Sequence, residues 1–177
     1  MNLIVAVDKN WGIGANNTLL YSLKGDMNYF KEKTLNKVVV MGDRTLASFP
    51  NGNPLKNRIN VCISIDPKFK KEGVIVVNNL KDLFETISFY DPDKVFVIGG
   101  AYVYSQLLPY CKKAYITKIE ASKPAEKFFP NLDEKYEWDL VKTSNPVCED
   151  GIVYYFCEYV NRNPLKFNYG YEEDDLV

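Results

Sequence analysis

The chain has 177 residues, 46% of them hydrophobic, and 22 Lys and Arg against 23 Asp and Glu, for a formal net charge of −1. That length suits one well-buried domain, and with charges nearly cancelled and no run of Lys or Arg, a nucleic-acid surface has no electrostatic support. The absence of histidine excludes a Ser/His triad, a histidine base and histidine metal ligands, and no metal site is expected.

Arg44, Arg58 and Arg162 are the only arginines, so the planar, bidentate guanidinium is scarce. Cys62, Cys111, Cys148 and Cys157 stand far apart with no CxxC pair and read as reduced thiols. No segment approaches the apolar length of a membrane span. The expectation is a soluble cytoplasmic monomer with no membrane partner.

Residues 3–7, LIVAV, form a continuous aliphatic run of the kind a strand buried on both faces shows. Residues 8–21 break the pattern with Asn10, Gly12, Gly14, Asn16 and Asn17, which predicts a turn-rich loop long enough to move and placed as a lid beside the first strand. In residues 19–34, LLYSLKGDMNYFKEKT, the side chains Leu23, Met27, Phe30 and Thr34 fall at i, i+4, i+7 and i+11, the apolar stripe of a short amphipathic helix. Asp26 lies on the edge of that stripe, so its carboxylate points toward apolar surroundings. The helix macrodipole alone also explains an acid in a first turn; what else converges there decides between the two.

KVVVMG at 37–42 predicts a second buried strand, and the DRTLASF that follows opens a short helix with Thr45 in its first turn. NVCISI at 60–65 and residues 74–77 read as a third and a short fourth strand, and Leu80, Leu83, Phe84 and Ile87 have helical spacing. Residues 94–98 predict a strand ending in Gly99 and Gly100, and 102–108 a helix stopped by Pro109. This alternation predicts an α/β fold: a mostly parallel twisted sheet with helices on both faces. From Ala114 on, AYITKIE, WDLVKT and IVYYFCEYV follow with no helix between them, as antiparallel C-terminal strands at a sheet edge would. Residues 161–177 are polar and end EEDDLV, so the expectation is one domain over 1–160 and an acidic surface tail over 161–177.

Glycines at a strand-to-helix turn let backbone amides approach a diphosphate and aim a helix N-terminus at it, though such glycines are also common in ordinary turns. Gly99 and Gly100 stand in that position, and Gly42 with Arg44 and Thr45 stands in it on another strand. Two such turns on one parallel sheet suit the two halves of a dinucleotide. Arg58, in PLKNRIN at the entry to the third strand, would clamp an anion if it overhangs the cleft that holds Asp26.

The order and spacing of GIG at 12–14, SLKGDMNYFKEKT around Asp26, VVVMGDRT, PLKNRIN, VFVIGGAYVY and AYITKIE followed by FFPNL resemble the dihydrofolate reductase family over residues 1–160. The resemblance implies NADPH-dependent reduction of 7,8-dihydrofolate to 5,6,7,8-tetrahydrofolate, with antifolates as inhibitors. It matches Asp26 to the acid of the pteridine pocket, Thr117 to the hydroxyl that orients it, and Tyr21 to the position that holds a water near the acid. Ile4, Val5, Ala6, Leu19, Met27, Phe30, Phe49, Leu55 and Ile98 match apolar walls, with Tyr104 also at the substrate, and Arg58 matches the clamp on the substrate's glutamate. On the cofactor side Gly99, Gly100, Tyr102, Val103 and Tyr104 match the diphosphate turn, and Gly42, Arg44, Thr45, Ser64 and Ile65 the adenosine end. Ala6, Ile13, Gly14, Thr18 and Leu19 match the nicotinamide side under the lid. Three positions depart from the family pattern: Leu20-Tyr21 replaces the usual Pro-Trp, and Asp43 and Tyr102 stand where basic residues are frequent. Asp43 repels a phosphate and leaves Arg44 to compensate. A same-fold reductase of another pterin or pyrimidine, and a folate-binding protein without turnover, are the alternatives.

Overall fold

The computed structural model describes residues 1–16 and 18–166. In chain order they form β1 (Asn2–Val7), β2 (Gly12–Ala15), β3 (Thr18–Leu19), α1 (Lys24–Thr34), β4 (Val38–Gly42), α2 (Asp43–Ser48), β5 (Ile59–Ile63) and β6 (Val74–Val77). Then follow α3 (Leu80–Ile87), β7 (Val95–Gly99), α4 (Ala101–Leu107), β8 (Lys113–Ile119), β9 (Lys127–Phe128), β10 (Trp138–Thr143), β11 (Val147–Glu149) and β12 (Ile152–Asn161).

The main sheet has the order β10-β12-β8-β1-β7-β4-β5-β6, with β11 paired to β12. Every pairing from β8 to β6 is parallel. The valine-rich strands β4 and β7 sit in its middle, which is why they read as unbroken apolar runs. Side-chain alternation divides the core in two. Leu3, Val38, Val40, Val95 and Val97 face α3 and α4 with Leu83, Phe84 and Leu107. Ile4, Val39, Met41, Phe96 and Ile98 face the other way, against Leu46 of α2 and Tyr29 and Phe30 of α1.

Four expectations need correction. First, β8 is not an edge strand: it runs parallel to β1, with Leu3 opposite Ala114 and Ala6 opposite Thr117, and only its far side is antiparallel, to β12. The chain reaches this interior slot through α4, a crossover that the sequence of β8 alone does not announce. Second, the lid is not an irregular loop: β2 pairs with β3 and with β9, forming a small second sheet. Third, the stripe on α1 does not lie on one core. Leu23 precedes the helix and packs with Ile119 and Tyr154, Phe30 joins the α2 side, and Met27 is 58% exposed. Fourth, the expected surface tail does not start at residue 161: Asn161 closes β12, is buried and donates through Nδ2 to the Cys111 carbonyl at 3.1 Å. The expected acidic segment, residues 167–177, lies outside the described residues. No described helix is long and apolar enough to cross a membrane.

Candidate active site

Asp26 sits in the first turn of α1, and its Oδ1 accepts a hydrogen bond from Thr117 Oγ1 at 2.6 Å. Thr117 is 1% exposed and lies on β8 directly beside Ala6 of β1. The helix therefore delivers a carboxylate to the face of the sheet at β8, where a buried hydroxyl meets it. Burial raises the pKa of Asp26 above the ordinary carboxylate value, the Thr117 hydrogen bond pulls it back, and the charge of Glu149 raises it again. The result is a single acid held in a partly apolar setting with its oxygen aimed by a neighbour.

Ile4, Phe30, Phe49, Leu55 and Ile98 pack into one cluster beside that acid's helix. Ala6 and Tyr21 belong to a separate small cluster with Leu23, Ile119 and Tyr154. Val5 does not join either wall. The period of two along β1 turns its side chain to the opposite face, into the α3–α4 core. Tyr104 is buried and donates to the Ile4 carbonyl at 2.7 Å, tying α4 to β1. Arg58 donates from Nε to Thr34 Oγ1 at 3.2 Å and from Nη1 to the Lys56 carbonyl at 2.9 Å. Burial lowers its pKa. Thr34 and Asp26 lie eight residues apart on α1, roughly 12 Å along its axis, so the cation and the acid stand at opposite ends of one helix. Asn60, which no sequence motif marks, holds the loop before β5 by accepting from Leu55 N at 3.0 Å and donating to its carbonyl at 2.9 Å.

The two glycine turns are neighbours because β4 and β7 pair directly. A Cβ on Gly100 would come within 3.3 Å of Thr45 Oγ1, and one on Gly42 within 3.2 Å of Val103 Cγ2. Gly99 has a φ of 124°, which L side chains rarely adopt. The starts of α2 and α4 thus form one bare backbone surface, a fit for a diphosphate. Beyond it, Ser64 is buried and donates to Asp43 Oδ2 at 2.7 Å. Arg44 is exposed, and Ile65 and Tyr102 are 91% and 72% exposed.

The lid is braced at both ends. Asp8 Oδ1 accepts from Asn10 N at 2.9 Å and Gly12 N at 2.8 Å. Glu126 donates its amide to the Gly14 carbonyl at 2.9 Å and accepts from Asn16 N at 3.1 Å. Lys123 donates to the Leu20 carbonyl at 3.0 Å, with its ammonium 4.2 Å from the Tyr21 ring centre. That contact stiffens the Leu20-Tyr21 stem. Burial, then the charge of Asp8, raises the pKa of Tyr21. Under the lid a small, open cleft is lined by Ala6, Ile13, Leu19, Leu20, Tyr21 and Ile119, among others. Ile13 is buried, Gly14 half-buried, and Thr18 and Leu19 exposed on the hairpin. Lys123, Glu126 and Glu149 had no signal in the sequence beyond their charge, since each acts on backbone groups that are close only in the fold, whereas Asp8 binds amides within its own turn.

A family model described as "Dihydrofolate reductase" matches residues 1–161. Dihydrofolate reductase from Bacillus subtilis (strain 168) is 35% identical over 168 residues, covering 94% of this chain and 97% of that protein. The dihydrofolate reductase of Haemophilus influenzae is 37% identical over 141 residues, 78% of this chain and 83% of its own length. Among solved structures, Enterococcus faecalis dihydrofolate reductase complexed with NADP(H) and RAB-propyl superposes with a TM-score of 0.81 at 29% identity, covering 92% of this chain and 96% of that one.

Proposed function

Because the chain belongs to the dihydrofolate reductase family, it is an NADPH-dependent oxidoreductase that reduces 7,8-dihydrofolate to 5,6,7,8-tetrahydrofolate, and we propose that Asp26 is the residue through which it does so. The observation that carries this reading is the Asp26 carboxylate, seated against β8 by Thr117 and raised in pKa by burial. A carboxylate so placed accepts two parallel hydrogen bonds, from N3 and the 2-amino group of a pteridine. It favours protonation at N5 by way of solvent, with Tyr21 holding the water. The activity then falls as pH rises through the Asp26 pKa.

NADPH, when bound, supplies the hydride that adds at C6 as N5 takes up the proton, so that the C=N bond becomes a C–NH bond and the cofactor leaves oxidised. The chain's own part is to place and enclose. Gly99, Gly100, Tyr102, Val103 and Tyr104 hold the diphosphate, and Gly42, Arg44, Thr45, Ser64 and Ile65 the adenosine end. Ala6, Ile13, Gly14, Thr18 and Leu19 enclose the nicotinamide and exclude water. Ile4, Met27, Phe30, Phe49, Leu55 and Ile98 wall the substrate. Val5 contributes backbone alone, because its side chain faces the opposite core. Arg58 clamps the substrate's glutamate α-carboxylate with a rigid fork. We propose, too, a monomer working in the cytoplasm.

The direct test follows the near-ultraviolet absorbance of reduced nicotinamide with purified protein, dihydrofolate and NADPH, before and after an antifolate that mimics the protonated pteridine. Decay that the antifolate stops is the expected result. Tight antifolate binding by calorimetry without any decay would overturn turnover and leave a folate-binding protein.

A further inference from the structure

The helix that carries Asp26 lacks a cap of its own. Leu23 precedes it in an extended conformation and supplies no side-chain acceptor for the first amides. The acceptor arrives from more than a hundred residues away. Glu149, at the end of β11, takes Lys24 N on Oε2 at 2.7 Å and Gly25 N on Oε1 at 2.9 Å. Tyr154 of β12, whose side chain is fully buried, donates to the same Oε1 at 3.2 Å. A Cβ on Gly25 would collide with the Tyr154 phenol oxygen, so the hairpin is pressed against the helix start as closely as backbone allows. Beneath this contact Leu23 and Tyr154 share one apolar cluster with Ala6, Tyr21 and Ile152.

The geometry points to Glu149 as a positioning residue for the reaction: its carboxylate caps the helix of Asp26 from the C-terminal hairpin, fixes where the Asp26 carboxylate meets Thr117, and sets a negative charge beside it. The claim rests on the reading of Asp26 as the pocket acid. Groups interacting electrically with Asp26 are Glu149 and the phenols of Tyr29, Tyr104 and Tyr154, with the Thr117 hydroxyl in direct contact. Burial raises all three phenol pKa values, so at neutral pH Glu149 is the charged member of this group. Its own pKa is lowered by the two backbone amides it accepts, Gly25 first, which keeps it ionised while Asp26 titrates.

The test is the pH dependence of kcat/KM for dihydrofolate in the full-length protein and in Glu149→Gln and Glu149→Asp. Glutamine loses the charge and one acceptor, whereas aspartate keeps the charge but withdraws it toward the hairpin. The expected result is a high-pH limb that moves downward in the order Glu, Asp, Gln, because removing a like charge lets Asp26 ionise more easily. A fall in kcat of roughly 3- to 10-fold should accompany it as the carboxylate loses its fixed seat. The same series in an Asp26→Asn background should show no limb to move. Superimposable pH profiles, with only the denaturation midpoint lowered, would overturn the proposal and make the cap a purely structural brace. If Glu149→Gln does not fold, Glu149→Asp decides by the same criterion. A limb that survives in Asp26→Asn would instead refute the role of Asp26, and so separates the two failures.

Discussion

Replacing Thr117 by valine keeps the shape of a side chain that is 1% exposed while deleting the hydroxyl that donates to Asp26 over 2.6 Å. A hydrogen bond to a charged group contributes about 1.5–3 kcal/mol, and it is the ionised carboxylate that this hydroxyl stabilises. Thr117 is also the contact that lowers the Asp26 pKa against the burial that raises it, so its loss raises that pKa further. A carboxylate whose folded pKa lies above its unfolded value contributes stability that is fully present below the unfolded pKa and is lost as pH rises through the folded one. Thr117→Val should therefore lower stability at neutral pH by about 1.5–3 kcal/mol. The deficit should shrink on acidification, as Asp26 takes up its proton. Urea titration reads this directly as a midpoint lowered by on the order of 1 M at neutral pH with an unchanged slope. In the same variant the high-pH limb of kcat/KM, which reports the free enzyme, should move upward. A midpoint deficit of the same size at every pH, with the limb where the parent protein has it, would refute the reasoning.

Asp26→Asn should reduce turnover at neutral pH by roughly 100-fold or more while leaving NADPH affinity by calorimetry nearly unchanged; unaltered steady-state rates would remove Asp26 from the mechanism. Arg58→Ala should raise the Michaelis constant for dihydrofolate by roughly 10- to 100-fold, the loss of a charge-assisted hydrogen bond. It should spare a pterin that lacks glutamate, and equal effects on both would remove the clamp. Arg44→Ala should weaken NADPH by about tenfold at low salt without a matching change for NADH, since Asp43 offers the phosphate only repulsion. A parallel loss would mean that Arg44 does not read the phosphate.

Much of the fold was legible because its strands are buried on both faces and say so in composition. VVVM in β4 and VFVI in β7 read as central parallel strands, and they are. The helix spacing of Leu80, Leu83, Phe84 and Ile87 was equally clear, and α3 buries three of the four. The lid was harder. Gly12, Gly14 and Asn16 look like loop residues, and β2 exists because Lys127 and Phe128 supply a partner strand from more than a hundred residues away. The α1 stripe misled in part, since Met27 carries the spacing of a core residue and is 58% exposed.

The sequence by itself determined which residue types were available for chemistry: no histidine, three arginines, and an acid set among apolar residues at helical spacing. It also determined the alternation that builds a parallel sheet, because burial and periodicity are local properties of the chain. The family resemblance paired Thr117 with Asp26, but only the tertiary structure decided that Val5 turns away from Ile4 and that the turns at Gly42 and Gly100 share one surface. The same holds for the Glu149 cap on the helix of Asp26. Those facts depend on strand order and side-chain register, which are set by how distant segments pack and which no local pattern encodes.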